Sequence, residues 1–378
     1  LALVLLAGSG LMIRSLAKLL AIDPGFDTRN VLSLRLTVPP GSVARDSLSG
    51  FYAELIDRLR GLPGVTHVAL GACAPLGGGC AGTVIDLMDR PSVVDVRQRP
   101  PVEINWTSPE WFAVGRVPLK RGRVFNTGDR SGTPRVVVVN EAAARKFWPG
   151  ANPIGKRVGL AFDDFNAGAE VIGVIGDVRQ LADSAAVPAA YVSVLQSPRS
   201  AMMIFVRTTR DAAAIGPDVR RAIRQLAPAY PIHDMQSLSS RTAGATAQAR
   251  FSAMVLALFA ATALALAVVG IYGVMSLAVA TRTREIGIRM ALGADHRRVQ
   301  RLVVSEGMSL VAIGALIGCA GALVSTRVLQ TLLFDLQPSD PLTYASILVL
   351  LGCAAAAANW IPARRASRVD PVEALRAD

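Results

Sequence analysis

Charge is scarce in this chain. Only 18% of its 378 residues are Asp, Glu, Lys or Arg, where a soluble domain of ordinary composition carries about 25%. The shortfall argues against a wholly water-exposed protein, and the mean hydropathy of +0.41 points the same way. Aromatic residues reach only 5%. A net charge of +12 would suit a nucleic-acid binder, but the arginines are scattered and no aromatic platform exists on which bases could stack. Histidine is rarer still. His67, His233 and His296 stand far apart, and the four cysteines form no Cys-x-x-Cys or Cys/His spacing that would hold zinc. Gly-x-Ser-x-Gly, His-Glu-x-x-His and any defensible pair of catalytic carboxylates are lacking too. The expectation is a protein without metal, cofactor or nucleic acid that is not itself an enzyme.

What charge there is leaves three long stretches empty. No charged residue occurs between Arg250 and Arg282, between Glu306 and Arg327, or between Asp340 and Arg364. A helix crosses the hydrocarbon of a bilayer with roughly 20 apolar residues, so each stretch predicts a membrane span. Leu1–Ile13 is also apolar, but Arg14 interrupts it, and thirteen residues rise only about 20 Å. It reads as the outer part of a membrane helix whose inner part is cut away. A signal peptide is disfavoured because the basic start and a small-residue cleavage site are both missing.

The remaining arginines orient the spans, because short cytoplasmic loops are rich in Lys and Arg. Thr281–Leu302 holds six Arg against Glu285 and Asp295, a net charge of +4. Val328–Leu342 holds only Asp335 and Asp340, and Arg364, Arg365 and Arg368 follow the last span. The first loop and the tail are therefore expected in the cytoplasm, and Ala21–Arg250 outside it. This outer segment is a long translocated domain, to which the charge rule does not apply.

The outer segment mixes strand and helix patterns without strict alternation, which predicts an α+β domain long enough for two lobes. Strands are expected at Val31–Val38, Val65–Leu70, Val84–Met88, Val102–Trp106, Val136–Val139, Val171–Ile175 and Met202–Arg207. Helices are expected at Ser47–Leu62, Glu141–Trp148 and Asp211–Leu226, and Ser237–Arg250 reads as a helix running into the second span. Cys73 and Cys80 flank a glycine-rich loop. Outside the cytosol they suit a disulfide, and two free thiols fit the spacing equally well. Gly150-Ala-Asn-Pro-Ile-Gly155-Lys156-Arg157 approaches a phosphate-binding loop, but Arg157 stands where the Mg²⁺-binding hydroxyl belongs. A turn built on Trp148-Pro-Gly and Asn152-Pro is the better reading.

One segment carries a stronger signal. In a helix over Thr281–Ala294, Arg282, Glu285 and Arg289 share a face, and Glu285 and Arg289 form an i,i+4 pair. Ile286 with Met290 and Ile288 with Leu292 form apolar shoulders. Such a helix suits docking into a partner's groove, and a basic loop obeying the orientation rule is the alternative. The tail offers a second local pattern: Asp370, Pro371 and Glu373 form a helix start with a capping box.

Arg284-Glu-Ile-Gly-Ile-Arg-Met-Ala-Leu-Gly-Ala294 closely resembles the signature of the FtsX-like permease family, the membrane subunits of MacB-type ABC transporters. Pro362–Arg376 is similar to that family's C-terminus, and Val136–Val158 resembles its periplasmic core domain. The resemblance implies an α-helical membrane protein of four spans, the first truncated, with an α+β domain inserted between spans one and two. Residues 1–20 would be the truncated span, 21–250 the periplasmic core domain, and 251–378 the permease domain. It implies a multi-pass protein of the bacterial inner membrane, with membrane lipid around it. It also implies partners: a separate cytosolic ATPase, a second permease unit (homodimer or duplicated half), and a possible periplasmic protein. Arg284, Glu285, Ile286, Gly287, Arg289, Met290, Leu292 and Gly293 would form the coupling helix that the ATPase grips. Conformational change, rather than a substrate, would then pass across the membrane. A regulator that activates a periplasmic cell-wall hydrolase is the alternative role. A membrane-anchored receptor is disfavoured, because it needs fewer spans and no docking helix. The chain departs from the family in its missing cytoplasmic N-terminus and in the lack of a fused ATPase, and it also resembles one half of the duplicated permeases in which two such units share a chain.

Overall fold

The computed structural model describes residues 2–21, 23–44, 47–77, 80–91, 95–180, 185–282, 288, 296–328 and 341–366. The chain forms two compact units, Ile22–Thr246 and the pair of segments Leu1–Ala21 and Ala247–Asp378.

Ile22–Thr246 is built on eleven strands: β1 (Val31–Thr37), β2 (Val65–Gly71), β3 (Ala81–Leu87), β4 (Pro101–Thr107), β5 (Leu119–Gly122), β6 (Val136–Asn140), β7 (Arg157–Leu160), β8 (Ala169–Ile175), β9 (Ala189–Ser193), β10 (Ala201–Thr208) and β11 (Ile232–Ser237). Their order is β11-β1-β10-β2-β4-β3-β7-β8-β6-β9, and an additional β4–β9 pairing closes the last six into a ring. Within the ring β4–β9 and β6–β8 are parallel, and the other pairings are antiparallel. β5 lies off this path and pairs antiparallel with β8, and the other four strands form an antiparallel wing. Wing and ring are joined where β2 meets β4, paired at Gly71↔Thr107.

Side-chain alternation explains the ring. Val102, Ile104 and Trp106 of β4, Val137 and Val139 of β6, and Ala190 and Val192 of β9 join one buried cluster. The intervening Val136, Val138, Ala189 and Tyr191 join a second cluster on the opposite face. The first cluster continues into the wing through Leu32, Leu34 and Leu36 of β1. There, α2 (Leu48–Arg60) supplies Tyr52, Leu55 and Leu59, and α5 (Gly216–Leu226) supplies Val219 and Ile223. The second cluster is capped by α3 (Trp111–Gly115). Two further helices complete the unit, α4 (Glu141–Phe147), capped by the Asn140 side chain, and α6 (Leu238–Ala245), capped by Ser237.

The expected strands are present, with ends shifted by a few residues. β5, β7, β9 and β11 are additions, and the helix expected from Asp211 begins at Gly216. Ser237–Arg250 is not one helix. Thr246 folds its backbone N–H and its hydroxyl back onto the carbonyl of Ala243, and the chain turns there. Cys73 and Cys80 form a disulfide.

Among the described residues, the second unit contains the helices α1 (Ala2–Ala21), α7 (Ala247–Thr281), α8 (His296–Val328) and α9 (Pro341–Ala366). Among the described residues, three stretches are long and apolar enough to cross a membrane: Arg250–Thr281, Val304–Ala322 and Tyr344–Pro362. Only 6%, 6% and 22% of their most apolar windows are buried within the protein. Leu258, Leu266, Leu316 and Val349 face outward more than half exposed. Helices this apolar and this exposed are stable in lipid and not in water. The helix of α1 runs straight through Arg14, and its apolar part is the shorter Ala2–Ala17. Leu3, Leu6 and Ala7 of α1 pack with Ala260, Ala322 and Ile347.

Candidate functional site

The segment singled out in the sequence lies between α7 and α8. Arg284, Glu285, Ile286, Gly287, Arg289, Met290, Leu292 and Gly293 lie outside the described residues, as does the tail helix expected at Asp370. Ile288 is described, helical and 44% exposed. The structure therefore gives the frame around this segment. α7 closes with the Thr281 hydroxyl donating to the carbonyls of Leu277 and Ala278, at 3.1 Å each. The next residue, Arg282, donates its backbone N–H to Val279 and its Nη1 to both carboxylate oxygens of Glu306, at 3.0 and 2.8 Å. Glu306 stands in α8, so one ion pair clamps the exit of α7 to α8 across the connecting segment. Both side chains are about half exposed. Pairs of that kind contribute only about 0–1 kcal/mol to stability.

Directly after Glu306 comes Gly307. A Cβ built there would lie 2.6 Å from Asn359 Oδ1 and 2.7 Å from Nδ2. The glycine is what lets the Asn359 carboxamide pack against α8. Asn359 is fully buried, and among the described residues neither its oxygen nor its nitrogen has a hydrogen-bond partner. An amide without partners at membrane depth costs several kcal/mol in hydrocarbon, and polar residues there mark function more often than packing. The sequence reading missed both contacts. A lone Asn in an uncharged span, three residues before the intrahelical Pro362, was the available signal.

In the outer unit, charge is arranged as structure. Arg207 of β10 is buried and donates Nε to Val114 O, Nη1 to Arg29 O and Nη2 to Asp27 O, at 2.7, 3.0 and 2.7 Å. The Asp27 carboxylate accepts from Arg29 and Arg116, and lies 3.7 Å from Arg207. The Arg29 hydrogen bond holds its pKa below the usual carboxylate range, against the opposing effect of burial. Burial lowers the pKa of Arg207 as well, against the favourable charge of Asp27. Asp27, Arg29 and Arg116 border a polar cleft of about 920 Å³ that Lys120, Glu141, Arg145 and Asp177 also line. Its cations and carboxylates pair off, as Arg145 does with Asp177 at 2.7 Å and Lys120 with Glu141 at 3.6 Å. It offers no single-sign field to a ligand.

Gly150–Arg157 is a turn. Gly150 and Gly155 take positive φ, Gly155 N–H donates to Val171 O, and Lys156 N–H donates to Pro153 O. Lys156 Nζ sits 3.5 Å from Asp89, and Arg157 begins β7. Amides turned to these carbonyls do not cradle a phosphate. Among the described residues, no cluster of His, Cys, Asp or Glu is placed to hold a metal.

Residues 13–226, more than half of the chain, match the MacB-like periplasmic core domain, and residues 257–371 match the FtsX-like permease C-terminal domain. The chain belongs to the family of MacB-type, FtsX-like permeases. It is 28% identical over 287 residues to the macrolide export ATP-binding/permease protein MacB of Azoarcus sp. strain BH72, covering 72% of this chain and 42% of that protein. It is 30% identical over 277 residues to the pyoverdine export ATP-binding/permease protein PvdT of Pseudomonas putida KT2440, covering 69% and 41%. The chain thus spans less than half the length of these relatives. A solved structure of the periplasmic region of MacB from Actinobacillus actinomycetemcomitans aligns with 59% of this chain and 95% of that one, at 16% identity and a TM-score of 0.39. As a member of this family, the chain is a membrane protein with a periplasmic domain, and its resemblance to such permeases in Arg284–Ala294 and Val136–Val158 is a family likeness.

Proposed function

We propose that this MacB-type permease is the membrane subunit of an ABC transporter and couples ATP hydrolysis by a separate cytosolic ATPase to movement of its periplasmic domain. One observation supports this above the others. Both ends of the periplasmic unit are continuous with membrane helices: α1 ends at Ala21 before Ile22, and α7 starts at Ala247 after Thr246. α7 then leads within a few residues to the Arg284–Gly293 segment. A shift of α7 driven from the cytoplasmic side thus reaches the periplasmic unit through one helix. With 35 residues, α7 spans about 52 Å, well beyond the roughly 30 Å of hydrocarbon.

In this reading α1, α7, α8 and α9 are the four spans of an inner-membrane protein. A second permease unit completes the transporter, and the Arg282–Glu306 clamp holds the docking segment between its two helices. Glu285 and Arg289 offer charge to the ATPase, and the glycine at 287 lets it approach closely. The permease itself hydrolyses nothing. The work it does is export or mechanical transmission to a periplasmic partner.

The test is capture of the ATPase, and its stimulated hydrolysis, with Glu285→Lys and Gly287→Leu permeases in membranes. The local helix cost of Glu285→Lys is a few tenths of a kcal/mol. Loss of a desolvated interfacial charge pair costs about 2–5 kcal/mol. Both variants should insert normally and fail to bind or stimulate. Unchanged binding and hydrolysis in both would reduce the segment to a basic loop.

A further inference from the structure

The face of β4 turned away from the first apolar cluster is polar along the strand itself, while its β9 neighbours Ala189 and Tyr191 belong to the second cluster. Glu103, Asn105 and Thr107 alternate along that face, and Val102, Ile104 and Trp106 face the first cluster. The parallel register sets Tyr191 of β9 beside Asn105, so its phenol stands on the same face. Asn105, Thr107 and Tyr191 are each at most 2% exposed. Among the described residues, Glu103 Oε2, Asn105 Nδ2, Thr107 Oγ1 and Tyr191 Oη have no hydrogen-bond partner, although each atom is buried.

Four such atoms on two neighbouring strands are unusual, since the large majority of buried polar atoms in proteins are satisfied. The orientation of Asn105 is fixed by chemistry, because its Oδ1 accepts from Ala72 N–H at 3.0 Å and leaves Nδ2 as the free donor. The row therefore contains a pure acceptor, a pure donor and two hydroxyls that do both. A cation would satisfy Glu103 and repel the Asn105 amide hydrogens, and an anion would do the reverse. A molecule that donates and accepts equally fits all four positions. Glu103 is the least buried of the four and opens the row to solvent. Burial raises its carboxyl pKa. At the far end Trp111 closes the row, packed against Tyr191 with ring centroids 5.4 Å apart, and so close to Gly71 that a Cβ there would lie 2.8 Å from Nε1.

We propose that the Glu103–Asn105–Thr107 face of β4, with Tyr191, is a binding seam for internal water that runs from the Glu103 end to the joint between ring and wing. Buried waters make two to four bonds each to groups of this kind and need little volume. The seam ends at Thr107, whose pairing with Gly71 joins wing to ring. The inference stands on the outer unit alone and does not depend on the proposed coupling role.

Thr107→Val and Tyr191→Phe remove one oxygen each at nearly constant shape, and thermal unfolding of the full chain in detergent tests them. If the oxygens are bonded to internal water, each variant loses about 2–4 °C in Tm. If they are dry, removing them relieves an unsatisfied group, and Tm stays level or rises. That result overturns the proposal. A map of the full chain in lipid nanodiscs, at a resolution that shows waters elsewhere in the outer unit, provides the second measurement. Water peaks within hydrogen-bond distance of Asn105 Nδ2 and Tyr191 Oη are expected. An empty seam, or density for an organic molecule, contradicts it.

Discussion

The two units of this permease solve the same problem in opposite solvents. The periplasmic unit encloses Leu34, Leu55, Trp111 and Phe205 at essentially no exposure, and it ties its loops with side-chain hydrogen bonds such as those of Arg207 and Asn140. The membrane unit buries little. Its small cluster is Leu3, Leu6, Ala7, Ala260, Ala322 and Ile347, and most of its large apolar side chains face out. Water drives apolar side chains together in the first unit. In the second, lipid removes that drive, and close approach of small residues takes its place. Gly318 against Leu3 and Gly307 against Asn359 are such approaches. Exposed apolar area thus means different things a few residues apart in one chain.

The largest effect that tests this comparison is a matched pair of truncations. Leu34→Ala, at 0% exposure, should destabilise the periplasmic unit by about 2–5 kcal/mol. Leu266→Ala, at 73% exposure, should leave thermal unfolding in detergent unchanged. Equal losses would mean that Leu266 packs on protein rather than lipid.

Breaking the buried charge of the periplasmic unit comes next. Arg207→Met strands the carbonyls of Val114, Arg29 and Asp27 and leaves the Asp27 carboxylate without its buried partner. Removing one member of a buried pair costs about 3–5 kcal/mol, and the accessible side of Asp27 makes the lower end the expectation for denaturant unfolding. The pH dependence has a definite sign. Asp27 has a folded-state pKa below its unfolded value, so its contribution is complete above about pH 4 and is lost as pH falls through the folded value. Asp27→Asn should therefore flatten the fall of Tm on acidification below pH 4 and leave the slope at neutral pH alone.

Much of this architecture was legible locally, and what was missed was non-local. Val31-Leu-Ser-Leu-Arg-Leu-Thr alternates cleanly and was read as β1 almost to the residue. The charge-free stretches announced the membrane helices, because charge at membrane depth is costly wherever it falls. β5 escaped because Leu-Lys-Arg-Gly is exposed at every position and has no period. β9 escaped for the reverse reason: Ala-Ala-Tyr-Val-Ser is buried throughout and has no polar face to alternate with. β11, an edge strand beside β1, buries none of its residues fully and so shows no apolar face. The closure of the ring depends on β4 finding β9 far along the chain, which no local pattern encodes. The docking motif was the most specific signal in the sequence, and it falls outside the described residues, so its geometry stands as proposed. The Arg282–Glu306 clamp could have been suspected only from two charges left at the margins of apolar stretches.

That clamp gives the smallest expected effect. Arg282→Gln should change the stability of the membrane unit by about 0–1 kcal/mol, as read by thermal unfolding in detergent. If the pair positions the docking segment, ATPase stimulation should fall far more than stability does. A proportional loss of both would mark it as an ordinary surface pair.

The closed ring has a consequence for biogenesis. The periplasmic segment is delivered to its compartment in chain order, after α1. β4, from Pro101 to Thr107, arrives long before β9, from Ala189 to Ser193. At about 5–20 residues per second of synthesis, roughly 4–18 s pass with the β4 edge open. β1 waits longer still, because its partners β10 and β11 arrive shortly before α7 itself. Through that interval the chain is an unclosed sheet emerging from a membrane, with bare strand edges that invite pairing with any neighbour. The delay is set by the order of the strands, and so the need for protection during export is written into the topology rather than into any one residue.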